Sequence, residues 1–333
     1  MTPQATPKKR SWLRIGLAFV IYGAVAVLAF RALDVKALEQ ALRALKVWHF
    51  FAIIGVSLTH ILGRSLRYHA LLSHASPKNY RMRDGIRVFL AGLSASAATP
   101  GRVGDFVKSK MTERFGVPVT YSAGIVVVER VLDLISVLLT LLFATFLMSQ
   151  GATASLKLAS IIALVGLFVA VFVLGRKSLR EAATKLGVRI LTRIRLKKAA
   201  TLVDEKTHEL FGAWDVVLGS PSQMARWLLA SIAIWCVEFA KLWLVFYCIG
   251  SPMDPRVVFL VYPASIVAGV LSILPFSEGA VGVTATSMLV ALGGADPSTA
   301  TVAVVVDRAA SVLPPIVMWG LFSLSASREA KPE

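Results

Sequence analysis

Long apolar runs separated by short charged segments dominate the chain. Several approach or exceed the roughly 17–25 residues that a membrane-spanning helix needs: Ile15–Phe30, Leu134–Leu156, Leu158–Gly175, Val257–Ser277 and Ala309–Ser327. None shows the alternation of a strand, so the pattern predicts helices. We therefore expect an all-α polytopic membrane protein that forms a single integral membrane domain over residues 1–333.

Positive charge assigns the sides of the membrane. The tail of residues 1–12 is basic and the first span is about Leu13–Leu33. No convincing cleavage site follows, so we expect an uncleaved span with a cytoplasmic N-terminus. A second span, about Val47–Leu62, leads to a basic stretch that begins with Arg64 and Arg67 and marks cytoplasm again. The basic segment 176–226 and the C-terminus are also predicted to be cytoplasmic, in an inner membrane.

A helix break falls inside an apolar piece that is too short to span. Fourteen uncharged residues, Val88–Gly101, lie between two basic flanks and end at Pro100-Gly101. Because both flanks look cytoplasmic, the chain is expected to enter the membrane, turn, and leave on the same side. Residues 83–116 are thus predicted to form a first re-entrant helical hairpin, since broken backbone at membrane depth is tolerated where it is buried in protein or lines a polar cavity.

A second broken apolar segment, 257–293, lies between flanks that look extracytoplasmic. It is interrupted by Pro275, Gly279 and Gly282, so it predicts a second re-entrant hairpin of opposite orientation. About six spanning helices complete the expected fold. Inverted pairs of interrupted helices point to a transporter-type site near the bilayer midplane. The symmetry rests on topology alone, because we find no strong residue-level repeat between the halves.

The motif "PGRVGDFVK" predicts an anion site at the first break. A helix that restarts after Pro100 and Gly101 presents unpaired N–H groups and the positive end of its dipole. Arg102, Asp105 and Lys108 follow at spacings that share one helix face. A phosphate or another anion suits this arrangement; the alternative is that the three charges neutralise each other.

Other intramembrane charges are candidates for the same site. Glu129, Arg130 and Asp133 lie within a long predicted span, where charged groups face a bundle interior or a wet cavity. They could pair structurally or titrate with protons during transport. Glu278 lies at the second break and Arg308 in the last span, whereas Glu238 and Lys241 are expected to satisfy each other.

Composition restricts the class of partner. Of 333 residues 56% are hydrophobic and 17% charged, and the net charge is +17, with a mean hydropathy of +0.71. Most basic residues fall in loops, where they report orientation and contact with anionic headgroups rather than nucleic acid. No nucleotide, cofactor or metal motif is present, so we expect no cofactor and no metal.

Several ordered motifs resemble one family, the flippase-like proteins that carry the lysylphosphatidylglycerol synthase transmembrane region. The matching stretches begin with "RSLRYHALL" and "PGRVGDFVK" and continue with "ERVLD", "LPFSEGAVGV" and "DRAASVLPP". The resemblance implies re-entrant helices and a role in moving lipids between leaflets. It also carries over the polar positions of this sequence: Arg102, Asp105, Lys108, Glu129, Arg130, Asp133 and Arg308. This chain departs from the family pattern at Asp105, where Glu is usual, and at Ala280 and Ala285, where Gly and Glu are usual.

We therefore expect a lipid flippase or transporter that moves a lipid or lipid-linked molecule, with an anionic headgroup, between leaflets. The chain has no soluble catalytic domain, so we do not expect an enzyme. Two alternatives stay open: an intramembrane lipid-modifying enzyme, and a membrane partner of a separately encoded lipid synthetase. Small-residue runs also permit a homo-oligomer.

Overall fold

The computed structural model describes residues 35–73, 80–97, 104–148, 154–193, 201, 207, 211–212, 214–215, 220–271 and 277–329. Across these residues the regular structure is helical. The helices are α1 (Val35–Ala44), α2 (Val47–Ser73), α3 (Met82–Ala97), α4 (Val107–Thr112), α5 (Val119–Leu147), α6 (Ala154–Gly175), α7 (Lys177–Arg193), α8 (Pro221–Cys248), α9 (Pro255–Leu271), α10 (Ser277–Gly293) and α11 (Pro297–Glu329).

Three of these helices are long and apolar enough to cross a membrane: α2, α8 and the part of α11 over Pro297–Met318. Helix α5 has 29 residues, a length of about 43 Å at 1.5 Å per residue. The predicted all-α membrane fold is confirmed. The count of six spans stays a prediction, because the tail 1–12 and the first span lie outside the described residues.

The first predicted hairpin contains two arms that pack closely together, α3 and the stretch from Gly104 through α4. A Cβ added at Gly104 would stand 2.2 Å from the backbone carbon of Ala95, and one at Gly92 would stand 2.2 Å from Cγ of Lys108. Only residues without a side chain permit this approach. Pro100, Gly101 and Arg102 lie outside the described residues.

An aromatic stack fixes the base of the first hairpin. The Tyr80 ring stacks on His69 with centroids 5.2 Å apart and meets the edge of Phe115, also at 5.2 Å. Burial raises the pKa of the Tyr80 hydroxyl, so this group stays neutral. The stack joins the end of α2 to both ends of the hairpin.

The second predicted hairpin consists of α9 and α10, which pack on each other and on α5 and α11. A Cβ at Gly282, in α10, would lie 3.7 Å from Val304 of α11, an ordinary contact. Gly279 also lies in α10, whereas Pro275 lies outside the described residues. The depth of both hairpins in the bilayer, and hence their re-entrant character, stays a prediction.

The last helix begins at a cap formed by Asp296 and contains two prolines. Asp296 accepts hydrogen bonds from the Ser298 side chain and from the Ser298 and Thr299 backbone, which hold its pKa below the ordinary value. Further along, Pro314 and Pro315 cannot donate to the carbonyls four residues earlier.

A side chain from another helix replaces one of those missing donors. The Ser57 hydroxyl donates to the carbonyl of Ala310 at 2.5 Å, and Ala310 is the residue whose helical partner would have been the N–H of position 314. Serine side chains commonly satisfy freed backbone groups in membrane helices in this way. The bond ties α2 to α11.

Helix α7 occupies the start of the basic segment 176–226. Its side chains Leu179, Leu186 and Ile190 are exposed, at spacings that fall on one face of a helix. A basic amphipathic helix of this type suits the membrane surface. The cytoplasmic side of this segment stays a prediction.

Candidate functional site

The second helix extends well beyond the expected end of its span. It continues from Val47 to Ser73, and both Arg64 and Arg67 are buried within it. The predicted end of the span at Leu62 is therefore too early for the helix, whereas the cytoplasmic side of these two arginines stays a prediction. Positive charge in the sequence signals a loop only when the side chain can reach water, and here other helices surround it.

Five buried ionisable side chains from three helices form what we name the first cluster. Its members are Arg64 and Arg67 of α2, Lys108 of α4, and Glu129 and Asp133 of α5. The sequence brought Lys108, Glu129 and Asp133 forward as site residues, and the structure places all three together.

Short ion pairs hold the first cluster. The Arg67 guanidinium lies 2.7 Å from the Asp133 carboxylate and 3.5 Å from Glu129. Lys108 donates to Glu129 at 2.9 Å, and Arg64 reaches Asp133 at 3.5 Å. Glu129 therefore pairs with Lys108 and Arg67.

Lys108 is enclosed almost completely, with 1% of its surface exposed. Its ammonium lies 4.6 Å from the ring centroid of Tyr68 and 4.9 Å from that of Phe89, so aromatic faces complement the Glu129 carboxylate. The close pass of its stem over Gly92 makes Lys108 the link between the two arms of the first hairpin and α5.

Asp105 and Arg130 form an ion pair at the edge of the first cluster. Asp105 is buried, whereas the Arg130 side chain is one-third exposed. Asp105 was expected to hold Arg102, which lies outside the described residues. The pair connects the hairpin's returning arm to α5, since Asp105 lies three residues before Lys108 and Arg130 directly follows Glu129.

A second group of polar side chains lies next to the first, and we name it the second cluster. Its members are His60 of α2, Glu238 and Lys241 of α8, Tyr262 of α9, and Asp307, Arg308 and Ser311 of α11.

Glu238 is the centre of the second cluster. Its carboxylate accepts from Lys241 at 2.9 Å and from Tyr262 at 3.0 Å, and lies 2.9 Å from Nδ1 of His60 and 3.4 Å from Arg308. The expectation that Glu238 and Lys241 satisfy each other is confirmed, as part of a larger network.

Asp307 completes the second cluster. It accepts from Arg308 at 2.7 Å, and lies 2.9 Å from the Tyr262 hydroxyl and 3.5 Å from Lys241. The single hydrogen of that hydroxyl is therefore shared between Glu238 and Asp307. Arg308, a predicted site residue, therefore lies in this cluster and not in the first. The backbone of Glu278 lies at the start of α10, and its side chain is outside the described part of the chain.

Trp235 joins the two clusters into one polar band, and a third contact ties the first cluster to α8. The Trp235 indole of α8 donates to Asp133 of the first cluster at 3.1 Å, and the same ring lies 5.7 Å from His60 of the second cluster. Arg67 donates to the Ser231 hydroxyl of α8. The band runs along the packed faces of α2 and α8.

The first cluster carries more positive than negative charge. Among its described members three cations face two carboxylates, all of them buried. The Nε of Arg67 also has no hydrogen-bond partner among the described residues. Each of these cations contacts a carboxylate, and the positive sum over the described members favours a bound anion. No described group of His, Cys, Asp and Glu side chains could hold a metal ion.

Sequence reasoning did not select His60, Trp235 and Tyr262. A signal was present for the first, because His60 shares a helix face with Arg64 and Arg67 at spacings of four and seven residues. For Trp235 and Tyr262 the sequence contains no such signal, because each looks like an ordinary aromatic residue of an apolar helix. The role of each depends on which carboxylate lies opposite it in the fold.

These observations define an all-α integral membrane protein with helical hairpins and a buried band of charge between them. The model of the lysylphosphatidylglycerol synthase TM region family matches residues 13–318, so nearly the whole chain belongs to this family. The resemblance seen in the motifs is confirmed. A search of curated proteins finds no match.

Proposed function

We propose that this protein moves lipids, or lipid-linked molecules, with an anionic headgroup between the leaflets of the inner membrane. The family supports a membrane protein related to lipid synthesis or flipping. The observation that carries the proposal is the first cluster, where three buried cations face two carboxylates. A phosphate would supply the missing negative charge.

A headgroup bound there would cross hydrocarbon while its acyl chains stay in the bilayer. Arginine forks and lysine ammonium groups are the usual protein partners of phosphate. Lys108 and Arg67 each already contact a carboxylate, so a phosphate could replace that carboxylate without leaving the cations unpaired. The carboxylates thus pair with these cations when no ligand is bound, and the phosphate takes their place when it binds.

Leaflet exchange in proteoliposomes tests the proposal. Labelled lipids with anionic, neutral and cationic headgroups are compared for the parent protein, Lys108→Met and Arg102→Ala. We expect the parent to accelerate exchange of anionic lipids and Lys108→Met to slow it about tenfold or more, since a hydrogen bond to a charged group contributes roughly 1.5–3 kcal/mol. Lys108→Met alone also leaves the Glu129 carboxylate without its lysine partner. The double variant Lys108→Met with Glu129→Gln removes both charges and therefore shows the effect of losing the cation by itself.

Lys110→Met is the matched control, because Lys110 lies on the same short helix with its side chain 75% exposed. It should exchange lipids as the parent does. Equal exchange of all headgroups, or Lys108 variants that behave like Lys110→Met, would contradict the proposal. A reproducible change in lipid mass would favour an enzyme, and loss of a lipid pool only with a second protein present would favour a synthetase partner.

A further inference from the structure

Helices α2 and α8 carry polar residues at the same positions along their length. Serine is the eleventh residue of each, and ionisable residues are the eighteenth and twenty-first. Each matched pair is separated by 174 positions. The matches are Ser57 with Ser231, Arg64 with Glu238, and Arg67 with Lys241.

Helices α5 and α11 match in the same way. The eleventh residue of each is acidic, the twelfth is arginine and the fifteenth is polar. The separation is 178 positions throughout. The matches are Glu129 with Asp307, Arg130 with Arg308, and Asp133 with Ser311.

The hairpins between these helices match as well. Phe89 and Tyr262 are each the eighth residue of a first arm, and each ring lies beneath a cation of its own half: Lys108 at 4.9 Å from Phe89, and Arg308 at 4.9 Å from Tyr262. The sequence Pro-x-x-x-Gly also occurs at both breaks, from Pro100 and from Pro275.

Matched residues make matched contacts. Arg67 lies 3.5 Å from Glu129, and their counterparts Lys241 and Asp307 also lie 3.5 Å apart. In each half this pair joins the helix before the hairpin to the helix after it. Positions that agree in register and in partner are hard to obtain from unrelated segments.

The two halves are related by inversion, since α2 and α8 run in opposite directions where they touch. Later residues of one contact earlier residues of the other: His60 meets Glu238, and Arg67 meets Ser231. Between these contacts Gly63 faces Ile234. A two-fold axis through this point exchanges the halves, as in transporters built from inverted repeats.

We infer that the chain consists of two inverted repeats, and that Arg67–Glu129 and Lys241–Asp307 are equivalent gates that close the polar band toward opposite faces of the membrane. Glu129 and Asp307 each lie ten residues, or roughly 15 Å, from the start of their helices, and the predicted topology puts those starts at opposite faces. Lys241 and Asp307 are therefore positioning residues for translocation. This deepens the proposed function and rests on it.

The two clusters differ in charge, and this difference suits the first to binding an anion and the second to closing without one. The first cluster has the excess of cations, whereas Lys241 and Arg308 are matched by Glu238 and Asp307 among the described members of the second. A balanced network can close without a ligand. Removing one partner of a buried ion pair leaves an uncompensated charge. Replacing both partners by neutral side chains avoids this charge, so a double variant can open one gate selectively.

Thiol accessibility tests the inference without any lipid substrate. Ala91 and Ala264 are both buried and are each the tenth residue of a first arm, so they provide equivalent probe positions. With Cys236 and Cys248 replaced by alanine, Ala91→Cys or Ala264→Cys is labelled by an impermeant reagent in vesicles of each orientation.

We expect Arg67→Met with Glu129→Gln to raise labelling at position 91 severalfold from one face only. Lys241→Met with Asp307→Asn should raise labelling at position 264 severalfold from the opposite face. The exposed pair on α1, changed by Arg43→Met with Glu39→Gln, should leave both rates unchanged. Exchanging the two cations, Arg67→Lys with Lys241→Arg, should keep both gates closed.

Labelling of both variants from the same face, or no change in either, would overturn the inference. Because this readout reports accessibility and not transport, a protein that passes it but exchanges no lipid would refute the proposed function alone. A protein that exchanges lipid but fails the labelling test would refute the inverted gates alone.

Discussion

Buried charges of the first cluster are held by partners that lie on other helices. Lys108 finds Glu129 at 2.9 Å, and Arg67 finds Asp133 at 2.7 Å, each inside a helical bundle where an unpaired charge would be costly. Glycine makes one of these pairings possible, because Gly92 leaves room for the Lys108 stem. The buried ion pair thus depends on a small residue in the neighbouring helix as well as on its two charged members.

Gly104→Ala should destabilise the protein by about 1–3 kcal/mol, since the added methyl overlaps the backbone at Ala95 and neither can move without shifting a helix. The thermal unfolding midpoint in detergent measures the effect. Gly55→Ala is the control: nothing lies within 4 Å of its Cβ, and a helical alanine should stabilise by about 0.5–1 kcal/mol. Equal effects of the two changes would refute the close packing of the hairpin arms.

At the scale of elements, broken helices are repaired by side chains from their neighbours. The prolines of α11 free carbonyl groups, and Ser57 of α2 bonds one of them at 2.5 Å. Ser94 of α3 donates to the Pro315 carbonyl at 3.1 Å. The proline-containing part of α11 is therefore bonded both to α2 and to α3.

Ser57→Ala should cost about 1–3 kcal/mol, because it strands the buried carbonyl of Ala310. Adding Pro314→Ala restores an N–H to that carbonyl, so the double variant should recover stability relative to Ser57→Ala. Unfolding midpoints of the four proteins in the cycle measure the coupling. Thr59→Ala on the same helix removes only an exposed bond to Gly55 and should have little effect. If the stability changes of Ser57→Ala and Pro314→Ala simply added, the Ser57 hydroxyl would not be replacing the missing N–H of Pro314.

At the scale of the whole molecule, the two largest packed cores among the described residues each draw mostly on one half of the chain. One core centres on Tyr68, Phe89 and Ile125, and the other on Phe239, Val258 and Leu289. The band along α2 and α8 lies where the halves meet. A boundary between two well-packed bodies is a natural place for relative motion, because packed cores shift between discrete arrangements more readily than they deform.

Orientation follows from the charge pattern and can be tested directly. In a protein without Cys236 and Cys248, Ser251→Cys at the end of α8 should react with an impermeant thiol reagent added outside the cell. Ser222→Cys at its start should react only after the membrane is opened. Both positions are exposed. Reaction of both from the same side would mean that α8 does not cross the membrane, and would contradict the expected topology.

Hydrophobic runs by themselves determined the helical class and the membrane environment, because burial in lipid restricts a chain to helices of a certain length. The two re-entrant hairpins that their breaks indicate stay predictions. The ordered motifs determined the family. Deeply placed charges such as Glu129 and Asp133 were also visible, since their cost in hydrocarbon makes them conspicuous.

Only the tertiary structure decided which charges meet. The contacts of Asp133 with Arg67 and with Trp235 depend on how α2, α5 and α8 are rotated and how they cross. A local sequence pattern does not determine this arrangement. The burial of Arg64 and Arg67 and the inverted match of the halves became visible for the same reason. Equivalence between repeats whose sequences have diverged is a property of position and contact, and those are fixed when the helices pack.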